Sequence, residues 1–248
     1  QAQLDALWAS YGERYAYDAA GRRISCIDAN GNKTLYYYDA DNRLVYTINA
    51  LGEVTEQRYN TLNQHTDAIQ YGTRMAAATL ATLTGGLVTT AATNAVNALA
   101  NVALDSKRSW AYNARGDMNS ATDALGNADA TSYNAFGEVG SYTQAIGSGQ
   151  TAVTAYAYDH RGHVTTTTAD GTGLNVITSA VYDAFGRATS FVDGNGKTHS
   201  QAFDRLGRIV QTTDATSTIR SSTYDAFGRT LTSTDGVGAV TTYAYNTA

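Results

Sequence analysis

The stretch YDAFGRATSFVDGNGKTHSQAF, residues 182–203, contains the pattern that decides the fold. It opens on Tyr182-Asp183-Ala184-Phe185-Gly186-Arg187, carries a second turn signal at Asp193 and Gly196, and ends on Phe203, where Asp204 starts another copy. Tyr224-Asp225-Ala226-Phe227-Gly228-Arg229 repeats the opening almost letter for letter. Going outward in both directions, the tyrosine slot is filled by Tyr17, Tyr38, Tyr59, Tyr112, Tyr133, Tyr158, Tyr182, Phe203, Tyr224 and Tyr245. Six of the nine intervals are 21 residues, and the others are 53, 25 and 24. A period of this length marks stacked supersecondary units.

Each unit has two turns. The first uses Asp18 with Gly21, Asp39, Gly116, Gly137, Asp159 with Gly162, Asp183 with Gly186, Asp204 with Gly207, and Asp225 with Gly228. The second falls eleven residues after the tyrosine, as at Asp28 with Gly31 or Asp235 with Gly238. Asp or Asn first and Gly fourth is the preference of a type I turn: the short side chain accepts backbone N–H groups, and Gly leaves the turn at positive φ. Between turns lie six residues (22–27) and then seven (32–38), which are strand lengths. Short strands joined by tight turns run up and down, so the expected fold is all-β, an antiparallel meander of 21-residue hairpin units. Tyr36 and Tyr38, or Tyr156 and Tyr158, alternate and should share a face. Rows of such tyrosines are expected to cement the sheet.

Composition agrees with strands. Leu, Ile, Val and Phe total only 42 of 248 residues, which raises the question of disorder, but 18 Tyr, 36 Thr and a net charge of −5 argue against it. Proline is absent, which suits strands paired on both sides. Few large aliphatics predict a curved sheet, wet on both faces, wrapping a space. The acidic balance implies no nucleic-acid surface, and no apolar run is long enough to span a membrane. The unit begun at Tyr245 breaks off at Ala248, so a piece of a longer chain is expected.

The 53-residue interval contains one unit plus an Ala- and Thr-rich insertion at 71–107, split by Gly85 and Gly86. Ala92, Ala95, Val96, Leu99, Val102 and Ala103 fall on one side of a helical projection, opposite Asn94, Asn97 and Asn101, which predicts an amphipathic helix over 87–104. A lid packed on the sheet is the expected role. The extra residues near 146–150 and 170–175 are expected in lengthened loops.

The search for chemistry finds no phosphate loop, nucleophile elbow or zinc helix. His160 and His163 flank a turn and read as turn residues rather than a metal pair, the turn aspartates have a sufficient local task, and Cys26 reads as a small buried hydrophobe. No catalytic residue, cofactor or metal is expected.

The unit Tyr-Asp-x-x-Gly-Arg, then Asp-x-x-Gly, resembles the YD repeat of RHS (rearrangement hot spot) proteins over about residues 11–70 and 108–248. That resemblance implies a β-sheet spiralling into a hollow shell, of the kind that encloses a C-terminal toxin in bacterial polymorphic toxins and in the C component of Tc complexes, and that teneurins carry at cell surfaces. It implies a secreted or surface location. The implied partners are neighbouring repeats of the same chain and an enclosed toxin or delivery apparatus. The family's proline-containing core segment cannot lie in a chain without proline. The alternative is an adhesion module binding glycans through exposed Tyr and Asn.

Overall fold

A computed structural model describes residues 12–171 and 173–246. The chain is all-β and antiparallel, and it groups into two units, one ending at Ala128 and the other beginning at Asp129.

The first unit contains β1 (Arg14–Tyr17), β2 (Arg23–Ile27), β3 (Lys33–Tyr38), β4 (Leu44–Ile48), β5 (Val54–Tyr59) and β6 (His65–Gln70). There follow a single helical turn α1 (Ala77–Leu80), the two-residue β7 (Gly86–Leu87), α2 (Thr90–Asn97), β8 (Ser106–Tyr112) and β9 (Met118–Thr122). Consecutive strands pair as hairpins, and β6 pairs directly with β8, so the insertion leaves the sheet and returns without interrupting it. The second unit runs β10 (Ala128–Tyr133), β11 (Val139–Gly147), β12 (Gln150–Tyr158), β13 (Val164–Gly171), β14 (Val176–Tyr182), β15 (Ala188–Val192), β16 (Thr198–Phe203), β17 (Ile209–Thr213), β18 (Ile219–Tyr224), β19 (Thr230–Thr234) and β20 (Val240–Thr242), each paired antiparallel with the next.

The YD hairpins carry a register shift at the tyrosine slot. Ala16 pairs with Ser25 but Tyr17 with Arg23, leaving Ile24 as the extra residue; Val181 pairs with Ser190 but Tyr182 with Ala188, leaving Thr189. Such bulges bend the strand and add local twist. The hairpins at the second turn pair without a shift at Ile27–Lys33 and Val192–Thr198, whereas β11 and β12 shift between Ala145 and Gly147.

Several expectations change here. The helix is α2, eight residues rather than 87–104. Thr89 caps it by accepting the Ala92 N–H, and after Ala98 the chain tightens, with Leu99 N–H donating to Val96 O and Ala100 N–H to Asn97 O. Gly86 and Leu87, before that cap, form a parallel bridge to Tyr37 and Tyr38. The extra residues of the second unit lengthen strands, not loops: β11 and β12 reach nine residues because Ser148 (φ 53°) and Gly149 (φ 73°) make the two-residue, positive-φ turn that matches strand twist.

The expectation of a sheet wet on both faces fails in the first unit. Leu35, Tyr37, Tyr46, Ile48, Val54 and Ile69 from the sheet pack with Tyr71, Met75, Leu83, Ala92, Val96 and Leu99 in one buried cluster. In the second unit no described residue is buried. The core tyrosines also have the other parity: Tyr37 is 1% exposed, while Tyr36 and Tyr38 point to the half-buried face. Cys26 is half-buried, and its neighbour Ser25 takes the buried position.

Candidate functional site

The side chains with specific geometry are those of the YD turns. At Asp183 the Oδ1 atom accepts the N–H groups of Phe185 (2.8 Å) and Arg187 (3.0 Å), and Oδ2 accepts Arg187 Nε (2.6 Å). The backbone closes the loop, with Gly186 N–H donating to Asp183 O and Asp183 N–H to Arg187 O. Asp18, Asp39, Asp204 and Asp225 repeat this arrangement with Arg22, Arg43, Arg208 and Arg229. Gly186 adopts φ +78°, and where glycine is missing Asn42 (φ 63°), Asn63 (φ 65°) and Ser217 (φ 63°) take the left-handed slot. Where the first residue is Asn, the partner is an acceptor: Asn49, Asn113 and Asn134 donate Nδ2 to the carboxylates of Glu53, Asp117 and Glu138, and Asn60 to Gln64 Oε1.

Several YD turns also reach the next one. Arg43, Arg187 and Arg208 donate Nη1 to the carbonyls of Asn60 (3.1 Å), Asp204 (3.3 Å) and Asp225 (2.9 Å). Their guanidinium groups lie over the next slot's ring, 5.0 Å from Tyr59, 4.4 Å from Phe203 and 4.6 Å from Tyr224, within cation–π range. The tyrosine hydroxyl in turn donates back to the carbonyl beside the preceding bulge. The pairs are Tyr38 to Arg23, Tyr59 to Leu44, Tyr112 to His65, Tyr158 to Val139, Tyr182 to Val164, Tyr224 to Ile209 and Tyr245 to Thr230, at 2.7–3.2 Å. Phe203 has no hydroxyl, and Gln201 Nε2 serves the equivalent Ala188 carbonyl instead, at 2.8 Å. The slots thus connect through arginine and hydroxyl. The bulge, visible in no single residue, is what brings that carbonyl within the hydroxyl's reach.

Electrostatics follow the hydrogen bonds. The Arg187 side chain, opposed by partial desolvation and helped by backbone N–H groups, holds the Asp183 carboxyl below its ordinary value. At Asp159 the side-chain bond to His163 leads, and the carboxyl falls to about 2. His163, weighed from sequence as a metal ligand, spends Nδ1 on Asp159 (2.9 Å) and stacks on Tyr182 with centroids 4.8 Å apart. Among the described residues no group of three or more His, Cys, Asp or Glu is placed to hold a metal, and no helix is long and apolar enough to cross a membrane.

The insertion is held on the first unit by backbone wedges. Gly85, at φ +82°, lies so close to the bulge that an added Cβ would stand 2.2 Å from Ile24 O, and Val88 N–H donates to Tyr38 O at 2.8 Å. Beneath it, buried Glu56 accepts Arg58 Nε (2.7 Å) and the Tyr71 hydroxyl (2.6 Å). Burial, then the bond to Glu56, raises the pKa of that hydroxyl.

The model of the RHS Repeat family matches residues 17–54 and 182–219. No curated protein matches. Among solved structures, the TcdB2-TccC3-Cdc42 complex is 14% identical over 90% of this chain and 13% of that chain, at TM-score 0.46. The Photorhabdus luminescens Tc holotoxin pore with a TccC3 mutation is 13% identical over 94% of this chain and 14% of that one, at TM-score 0.42. The chain therefore spans about an eighth of the first of these.

Proposed function

We propose that this chain, whose residues 17–54 and 182–219 match the RHS Repeat family model, is a length of wall in a longer RHS shell that encloses and helps deliver a C-terminal toxin domain. One observation carries the reading: in turn after turn the functional groups are spent on the neighbouring unit, arginine to carbonyl and ring, hydroxyl to bulge. Side chains spent on joining units build a surface of indefinite length. The half-covered strand faces of the second unit fit a wall that meets contents or neighbours. A secreted or extracellular location follows from that role. The glycan-binding alternative loses support, since the tyrosine hydroxyls it would use are donated within the sheet.

The test is protease protection in the full-length parent protein. The domain following the repeats should resist a protease dose that digests the same domain expressed alone, and should lose that resistance once the shell is unfolded. Equal digestion in the two settings overturns the enclosure.

A further inference from the structure

The slot over Tyr158 differs from the slots that hold an arginine, as do those over Tyr112, Tyr133 and Tyr182, which follow Gln64, Asp117 and His163. In the slots over Tyr59, Phe203, Tyr224 and Tyr245 the fifth turn residue of the preceding unit is an arginine, lying 4.4–5.0 Å from the ring centroid. Before Tyr158 that position is Glu138. A depression of about 570 Å³ opens there, lined by Phe136, Glu138, Tyr156, Tyr158, Asp159 and Arg161 among others. Depressions on the sheet farther along the unit measure about 300–380 Å³.

The acceptors of this slot lack the donor their sisters have. The Asp204 carbonyl accepts both Gly207 N–H and Arg187 Nη1, and the Asp225 carbonyl both Gly228 N–H and Arg208 Nη1. The Asp159 carbonyl accepts Gly162 N–H alone among the described residues. Glu138 Oε2 takes Asn134 Nδ2, whereas Oε1 reaches toward the Asp159 turn, 3.0 Å from where a Cβ on Gly162 would sit. Carboxylate and carbonyl are both acceptors, so neither can satisfy the other. Arg161, which lines the opening, spends its Nη1 on the Asp183 and Ala184 carbonyls of the next turn. The neighbouring slot over Tyr182, which also lacks the arginine, is filled instead by the His163 ring.

We propose that the slot between Glu138 and Tyr158 is a binding site for the arginine side chain of a partner polypeptide. A guanidinium there reproduces the contacts of the arginine-filled slots, one face on the Tyr158 ring and one N–H to the Asp159 carbonyl, and adds a charge-assisted bond to Glu138 Oε1 that those slots do not offer. Its planar fork suits two acceptors at fixed separation, which a lysine ammonium addresses only as a point charge. The exposed aromatic Phe136 beside the opening gives the partner backbone an apolar rest. The site does not depend on what the longer protein encloses.

The experiment is a titration of this chain, with ring-labelled tyrosine, by N-acetyl-arginine amide, following the Tyr156 and Tyr158 ring resonances by NMR. The expected result is a saturable shift of both rings with a dissociation constant on the order of millimolar. It should weaken several-fold in Glu138→Gln and vanish in Glu138→Arg, where the chain supplies its own guanidinium; folding of each variant is checked by the unshifted resonances of Tyr224. Absence of a saturable shift up to tens of millimolar overturns the proposal, as does an undiminished shift in Glu138→Arg. Equal affinity for N-acetyl-lysine amide overturns the assignment to arginine.

Discussion

Gly85→Ala tests the wedge that fixes the insertion, with Gly228→Ala as its control. Both glycines have nearly the same backbone, φ +82° and +85°. An alanine in that region costs about 1–2 kcal/mol. At Gly228 nothing lies within 4 Å of the new Cβ, so that cost is the whole effect. At Gly85 the Cβ would stand 2.2 Å from Ile24 O and 3.2 Å from Tyr36 O. Ordinary carbon–oxygen contact is about 3.3 Å, so the segment must move by roughly 1 Å. That movement stretches Val88 N–H to Tyr38 O, now 2.8 Å, and Thr84 N–H to the Tyr37 hydroxyl, now 3.2 Å, out of bonding range. Two lost bonds at about 0.5–1.5 kcal/mol each put Gly85→Ala about 1–3 kcal/mol below Gly228→Ala. At about 2–4 °C per kcal/mol for a chain of this length, the two melting temperatures should differ by roughly 2–12 °C in calorimetry. Equal melting temperatures would refute the wedge.

Tyr182→Phe should cost about 0.5–1.5 kcal/mol in urea unfolding by removing the donor to Val164 O; Gln201→Ala should cost a similar amount, and a neutral result there would mean that Gln201 does not stand in for the missing hydroxyl of Phe203. Tyr71→Phe leaves buried Glu56 without its 2.6 Å partner and should cost about 1.5–3 kcal/mol, read as a lower urea midpoint. The turn carboxylates are held below their unfolded values, Asp159 at about 2. In acid the unfolded chain therefore binds more protons, and stability present above about pH 4 should be lost progressively toward pH 2. A urea midpoint constant from pH 5 to 2 would contradict the depressed carboxyls.

The meander was legible because its cause is local. An Asp or Asn that accepts N–H groups two and four residues on, and a Gly at positive φ, act within five residues, so Asp183 and Gly186 announce their turn in the sequence. The insertion was legible as a break in period and its helix as a stripe, but the helix ends were not. Thr89 as cap and the Gly86–Leu87 bridge depend on contact with β3, which periodicity over 87–104 does not register. Nor was the buried parity legible. Tyr36, Tyr37 and Tyr38 are consecutive, and only the insertion packed on one face decides that Tyr37 is the core residue.

Sequence by itself determined the hairpin unit and its two turns, because turn chemistry and side-chain alternation are short-range. Tertiary structure alone decided the joints between units: the bulge beside each tyrosine slot, the hydroxyl that reaches across to it, and the arginine that lies on the next ring. Those partners are some fifteen to twenty residues apart, and neighbouring strands must pair before either end of such a contact exists. The vacancy at Glu138 belongs to the same class. A glutamate in an arginine's place is an ordinary substitution in the repeat until the sister slots show what the arginine was holding.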